Sequence, residues 1–200
     1  MKHTHSRPGA RKTIRVITGR DKTAIEAIAR VGVAMKSQLM DYCGLTNDRL
    51  NKLCHSGYLK SRSEYVTKLG TVTVYELDKK AECFLQQNGW DFIKRPHYAE
   101  IRHDLKLANL YFQTPKALRD YWYCDKEAQQ LLELKGAAGR ENFPDAVIIL
   151  PKNIAQEMNH FCQSDHYTIA VEAIGHSYSS TLLEAKADFA SQHFNSYIRE

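Results

Sequence analysis

Pro144-Asp145 stands at the head of the apolar run Ala146-Val147-Ile148-Ile149-Leu150, and Glu172 lies inside a second run from Tyr167 to Ile174. Short, β-branched apolar runs bounded by turn residues read as buried strands. A carboxylate inside such a strand is costly unless it is paired or holds a metal. Two of them on neighbouring strands can grip one Mg²⁺ or Mn²⁺ through hard oxygen ligands. The plainer alternative is that Asp145 caps a turn and Glu172 sits on a solvated strand face.

The 200-residue chain is 43% hydrophobic, enough for one or two domains with real cores. Its formal charge of +5 hides an asymmetry. Residues 1–95 hold eighteen Lys and Arg against nine Asp and Glu, a net of +9, whereas residues 96–200 hold ten against fourteen, a net of −4. A basic front half beside an acidic back half suggests polyanion binding in front and metal chemistry behind; ordinary surface charge is the simpler account. Cys43, Cys54, Cys83, Cys124 and Cys162 are scattered, with no C-x-x-C pair. No signal peptide opens the sequence and no apolar run is long enough to span a bilayer. The expectation is a cytoplasmic protein with free thiols and no membrane partner. His160, Cys162 and His166 lie close together, but their spacing fits no common zinc pattern and lacks a fourth ligand.

Residues 1–20, with two His, several Lys and Arg and Pro8-Gly9, read as a flexible basic arm suited to phosphate contact. From Asp21, a fair N-cap, Ile25, Ile28, Ala29 and Val33 follow helical spacing. Residues 36–43 give a short second helix stopped by Gly44. Thr46 caps a third through His55, with Leu50 and Leu53 facing inward and Gly57 ending it. Residues 58–65 and 72–77 read as the strands of a hairpin about a turn at 68–71, and Asp78 caps a further helix to Asn88.

Three short helices followed by a hairpin form a winged helix-turn-helix. Ser37-Gln38-Leu39, Gly44-Leu45-Thr46, Leu50-Asn51-Lys52-Leu53 and Gly57-Tyr58-Leu59 are similar to winged-helix DNA readers. In that architecture the third helix enters the major groove and the wing touches backbone. Thr46, Asn47, Arg49, Asn51, Lys52 and His55 are the candidates on that helix, with Lys36 and Ser37 ahead of it and Lys60, Arg62 and Lys68 on the wing. Asn and Arg can make bidentate base contacts, whereas lysines suit phosphates. Some winged helices contact only protein.

Beyond a connector at 90–97, a helix over 99–112 places Ile101, Leu105, Ala108 and Phe112 on one face. Then come a strand at 119–123, a helix at 125–134, a Gly-containing loop at 135–142 and the two apolar strands. The polar segment between those strands has room for a helical turn or two at 154–161, and 179–198 reads as one long amphipathic helix. With Asp at the start of the second strand and Glu in the third, this half resembles the PD-(D/E)xK nuclease core. More narrowly, through His103-Asp104-Leu105, Pro144-Asp145-Ala146 and Ala170-Val171-Glu172, the chain from about Asp21 onward resembles the replication-relaxation family and the MOB-C class of conjugative relaxases. That group joins a winged helix to a degenerate nuclease-like core. The expected fold class is therefore α+β: a basic arm at 1–20, a winged-helix domain at 21–95, and an α/β restriction-endonuclease-like domain at 96–200.

The resemblance implies a plasmid or integrative-element protein that recognises an origin of transfer in double-stranded DNA and, with Mg²⁺ or Mn²⁺, nicks one strand, with accessory transfer proteins as further partners. Asp145 and Glu172 would hold the ion, which polarises the scissile phosphate and lowers the pKa of bound water. Asp104 could supply a further carboxylate. His103 could orient a phosphate, act as a base, or donate to backbone in the core. Nuclease cores usually place a Lys two residues after the third-strand Glu, and here that position is Ile174. Lys186 on the following helix could reach the pocket or be a surface lysine; His176 is a second substitute. The family would add another strand after the long helix, so the chain reads as cut short or minimal. A tyrosine nucleophile, Tyr178 or Tyr197, has nothing beside it to mark a lowered pKa. The competing reading is a catalytically inert winged-helix accessory or regulatory protein of plasmid transfer or replication.

Asn51→Ala or Arg49→Ala is expected to relax sequence preference by about 1–3 kcal/mol per lost bidentate contact, read by competition between cognate and altered duplexes. Equal weakening on every duplex would assign those side chains to phosphate.

Overall fold

The computed structural model describes residues 13–67, 69–134, 142–160, 164–175 and 178–200. Most of the basic arm, Lys68, nearly all of the 135–142 loop, Cys162 and His176 lie outside the described residues. The fold is mixed α+β with two sheets, and no helix among the described residues is long and apolar enough to cross a membrane.

In the front half, α1 (Gly19–Val31) packs on α2 (Lys36–Cys43), and α3 (Asn47–His55) leads into the strands β2 (Leu59–Val66) and β3 (Gly70–Leu77). A two-residue strand β1 (Ala34–Met35) completes an antiparallel sheet in the order β1-β3-β2, and α4 (Lys79–Gln87) follows. Asp21 is not the N-cap of α1. Thr18 is, because its hydroxyl accepts from Asp21 N while Asp21 accepts from Thr18 N, a reciprocal capping box. Gly32 ends the helix at φ +87°, with the Arg95–Pro96 backbone 3.4 Å from where a Cβ would sit, so a side chain there is excluded twice over.

Asp21 has a second task. Its carboxylate, fully buried, takes Arg49 Nε at 2.9 Å and Nη2 at 2.5 Å, and Nη2 also donates to Val16 O at 3.0 Å. The edge of the Arg49 guanidinium expected to read a base is thus occupied in bracing α3 against α1. Sequence spacing cannot show this, since 28 residues separate the partners.

The back half begins with a 3₁₀ turn at Tyr98–Glu100 and α5 (Ile101–Gln113), then α6 (Lys116–Arg119) and α7 (Asp125–Leu131). Its sheet runs β4-β5-β6-β7, from β4 (Trp122–Cys124), β5 (Ala146–Pro151), β6 (His166–Glu172) and β7 (Ser196–Arg199). Helix α8 (Lys152–Glu157) connects β5 to β6, and α9 (Ser180–His193) precedes β7. The continuous apolar run of β5 reflects burial on both faces. Ala146, Ile148 and Leu150 join a core with α1, α5 and Trp122, whereas Val147 and Ile149 pack with Ala170, Phe189 and Phe194 under α9. The first of these cores extends from Ile25, Leu50 and Leu85 to Ile169 and Val171, so apolar packing is continuous across the charge boundary near residue 95.

Two expected elements differ. The strand at 119–123 is displaced to 122–124 because Pro115 and Leu118 close a helical turn first. The long terminal helix stops at His193. Asn195 Oδ1 accepts from Thr168 N at 2.8 Å and from Thr168 Oγ1 at 3.0 Å, and Asn195 N donates to Thr168 O. That clamp lays Ser196–Arg199 parallel to β6, so the strand expected to be missing is present.

Arg49→Ala leaves Asp21 buried without its cation and is expected to cost about 3 kcal/mol, the low end for a buried pair because Arg49 keeps some solvent contact. Burial alone would raise the Asp21 pKa, but hydrogen bonds from Arg49 and Thr18 and the Arg49 charge hold it below its ordinary value. The pair's contribution is therefore full above about pH 4, where an unfolded Asp is ionised, and is lost as pH falls through the depressed folded value. Urea unfolding at neutral pH and near pH 3 checks this: the wild type should lose more stability on acidification than Arg49→Ala.

Candidate metal centre

Asp145 immediately precedes β5 and Glu172 ends β6. Their strands pair antiparallel with Ala146 opposite Val171, which sets the two carboxylates side by side at one end of the sheet. Asp145 N lies 3.3 Å from Glu172 Oε2, and Ala173 N donates to Asp145 Oδ2 at 2.9 Å. From α5, His103 Nε2 meets Asp145 Oδ2 at 2.9 Å. One ligand atom each from His103, Asp145 and Glu172 lie within 4.8 Å of one another, a separation that one cation can bridge.

Lys186 is brought to the same strand end. It is 5% exposed, its Nζ lies 2.9 Å from Glu172 Oε1 and donates to Phe143 O at 3.0 Å. Helix α9 crosses the face of the sheet that carries Val147 and Ala170, which points a residue seven positions into that helix at the strand end. Tyr178, just ahead of α9, places its hydroxyl 3.4 Å from His103 Nε2, and Lys186 Nζ lies 5.6 Å from its ring centroid.

Asp104 is brought close but does not join the convergent group. Its Oδ2 accepts from His97 N at 2.6 Å and its Oδ1 stands 3.7 Å from His103 Nδ1. It secures the entry to α5 and orients the imidazole. Lys106, one turn beyond His103, donates to Ile174 O at 2.8 Å and pins the strand end beside Glu172. Sequence reading passed over Lys106; its signal was the i,i+3 spacing from His103 on one helix face.

The electrostatics follow from this packing. Burial opposes a charged His103, but Asp104 beside its Nδ1 and the hydrogen bond to Asp145, with the charges of both, outweigh burial and raise its pKa from 6.5 to about 9. Burial also works against ionised Asp145, yet His103, Lys94 and Ala173 N hold its pKa below the usual value. Glu172 goes the other way: burial and the Asp145 charge raise it, against the pull of Lys186. Burial and the two carboxylates push the Tyr178 phenol far up, and burial and Glu172 push Tyr197 up to about 12, so neither is an activated nucleophile. Adjacent carboxylates with divergent proton affinities are a frequent property of acid–base sites.

The donor set suits a hard cation: two carboxylates, with an imidazole that must release a proton to join them. The closeness of the ligand atoms supports the fit, since Asp145 and Glu172 set two negative charges side by side at one strand end, a repulsion that a divalent cation would relieve. The site opens into a cavity of about 410 Å³ whose lining includes Lys94, Arg95, His103, Asp145, Tyr178 and Lys186.

Elsewhere, Ser37, Thr46, Asn47, Asn51, His55 and Lys60 are exposed, and Lys36, Lys52 and Arg62 are half-buried. Thr46 Oγ1 caps α3 by accepting from Arg49 N, and Lys52 pairs with Asp48 at 2.6 Å. Lys60 lies 3.7 Å from Asp78, and Arg62 pairs with Glu64 at 2.9 Å and covers Tyr98. His160 stacks on Tyr167, and with Cys162 outside the described residues the suggested zinc cluster is not assembled among them. Comparison with protein families, with curated proteins and with solved structures found no match for this chain.

Mn²⁺ at millimolar concentration is expected to raise the melting temperature of the wild type but not of Asp145→Ala/Glu172→Ala. Lys186→Met should cost about 3 kcal/mol by leaving Glu172 buried and uncompensated, with part of the loss recovered on adding Mn²⁺. A wild-type transition indifferent to Mn²⁺ in calorimetry would remove the metal reading.

Proposed function

We propose that this chain is a site-specific DNA-nicking protein of the relaxase type, acting with Mg²⁺ or Mn²⁺ at an origin of transfer. The observation that carries this reading is the meeting of Asp145 and Glu172 at adjacent strand ends with Lys186 Nζ 2.9 Å from Glu172. Two acids and a lysine at a sheet end are the functional elements of a PD-(D/E)xK site, with the lysine delivered from α9 rather than from the strand. The front half supports the duplex-binding part: its order α1-β1-α2-α3-β2-β3, with a three-stranded antiparallel sheet, agrees with the winged-helix reading, and it carries the basic excess.

Asp145 and Glu172 would hold the cation, which supplies charge neutralisation at the phosphate and acidifies bound water. The remaining work falls to the chain's own groups. Lys186 Nζ, held by Phe143 O, presents a fixed positive charge beside the carboxylates, where a phosphodiester oxygen gains negative charge. His103, its Nε2 2.9 Å from Asp145 Oδ2, stands beside the carboxylates, where it can pass a proton to a departing sugar oxygen. Lys94 and Arg95 at the cavity wall draw the phosphate backbone in.

One observation favours the accessory reading. His103 and Lys186 already compensate Asp145 and Glu172, so the four groups also make sense as an internal ion-pair cluster in a non-cutting DNA-binding protein.

On supercoiled plasmid bearing the cognate transfer origin, Asp145→Ala/Glu172→Ala should abolish Mn²⁺-dependent nicking while changing duplex affinity by less than about twofold. Absence of nicking by the wild type on that plasmid would decide for the accessory role.

A further inference from the structure

We infer that a cleft on the flank of α1 is a binding site for single-stranded DNA, separate from the carboxylate cluster. It deepens the DNA reading and rests on it only for the identity of the polyanion. The cleft encloses about 630 Å³ between α1, α2, α6 and the end of α5. Arg20, Thr23, Ala27 and Arg30 recur along it at three- and four-residue spacing, which places them on one face of α1, with the two arginines about 15 Å apart by helix rise. Lys116 and Arg119 approach from the opposite wall, and Tyr42, Trp90, Tyr111 and Phe112 lie among the cations.

Cations outnumber acids on the lining of this cleft. None of Arg20, Arg30, Lys116 or Arg119 forms an ion pair with a carboxylate among the described residues. Of the two acids on the lining, Glu26 is turned toward Lys22 at 3.6 Å, and Asp120 is exposed and forms no ion pair among the described residues. Arg30 is half-buried over Trp90, 4.8 Å from the ring centroid, and its Nη1 is buried with no acceptor. A half-buried guanidinium is costly, and an anion in the cleft offsets that cost through its charge rather than by reaching the buried Nη1.

Arg119 is pre-organised. Its Nε donates to Thr114 O at 2.8 Å and its Nη2 to Phe112 O at 2.5 Å, while its plane covers the Tyr42 ring at 5.2 Å. Two carbonyls thus fix a cation whose Nη1 makes no hydrogen bond among the described residues. Tyr42 keeps 48% exposure beside it, a large aromatic surface that folding leaves open. Tyr111 and Phe112 are buried and back the cleft, so the rings that a base can reach are Tyr42 and the half-buried Trp90. Cations beside reachable aromatic rings are what a single strand requires: phosphates take the cations and unpaired bases stack on the rings. A duplex has its bases already stacked and offers the rings nothing. An acidic peptide would use the cations and leave the rings idle.

The position relative to the carboxylates is suitable. Tyr111 and Phe112 sit eight and nine residues beyond His103 on α5, which is about 12–13 Å along the axis. A strand opened at one end of α5 has a place to lie at the other.

The test uses the full chain and a short oligothymidylate. Trp90 is partly exposed and the other tryptophan, Trp122, is fully buried, so fluorescence quenching on binding reports the cleft. We expect saturable quenching, with affinity falling as salt rises. Tyr42→Ala/Lys116→Glu alters two exposed side chains and should weaken oligothymidylate binding at least tenfold while leaving duplex affinity unchanged, the retained duplex affinity showing that the fold persists. Asp145→Asn/Glu172→Gln should bind the oligonucleotide as the wild type does, so this result stands whether or not the chain nicks DNA. No quenching by oligothymidylate, equal quenching by polyglutamate, or an affinity unmoved by Tyr42→Ala/Lys116→Glu would each overturn the inference.

Discussion

A glutamate without solvent exposure at the end of a central strand governs this back half. Ionised Glu172 cannot persist there alone, and the structure answers it from two directions. Lys186 brings a cation down from α9, which requires that helix to cross the sheet with Phe189 and Ala190 seated on Val147 and Ala170. Asp145 then adds a second negative charge at the same strand end, and His103 from α5 meets it. Helices from both faces of the sheet are therefore held in place by one pair of acids. The arrangement is electrically balanced as folded, which is why it can serve either as an internal tie or as a seat from which a metal displaces protons.

Much of this was legible in the sequence where local pattern decides the outcome. The capped helices α2, α3 and α4 and the two buried strands follow from Thr46, Asp78, Gly44 and the β-branched runs, and the structure has them within a residue or two. The acids Asp145 and Glu172 stood out because carboxylates beside apolar strands are expensive. What the sequence hid were decisions made between distant residues. Arg49 reads as a base-contacting side chain on an exposed helix face until Asp21 is seen buried beneath it. Lys186 is one of several polar residues on α9, and only the crossing of that helix over β5 and β6 turns it inward. The 179–198 pattern is helical throughout by periodicity, yet a single asparagine, bonded to Thr168, converts its tail into an added strand. Propensity was overruled by a clamp that no window of local sequence contains.

The charge map and the packing map divide the molecule differently. Basic residues collect before residue 95 and acidic ones after it, which suggests two modules. The apolar side chains disregard that line. Ile25 and Ile28 on α1 belong to the same cluster as Trp122 and Ile148, and Lys94 N donates to Ala29 O at 2.8 Å across the connector. Electrostatic asymmetry thus separates two surfaces of a body whose interior is shared.

That shared interior has a mechanical consequence. A chain packed without interruption from α3 to β6 resists hinging, since close-packed side chains transmit displacement rather than absorb it. Whatever lies against α3 is held at a constant offset from Glu172. The molecule has the properties of a ruler: the distance between α3 at one end and Glu172 at the other is written into the stacking of leucines and isoleucines.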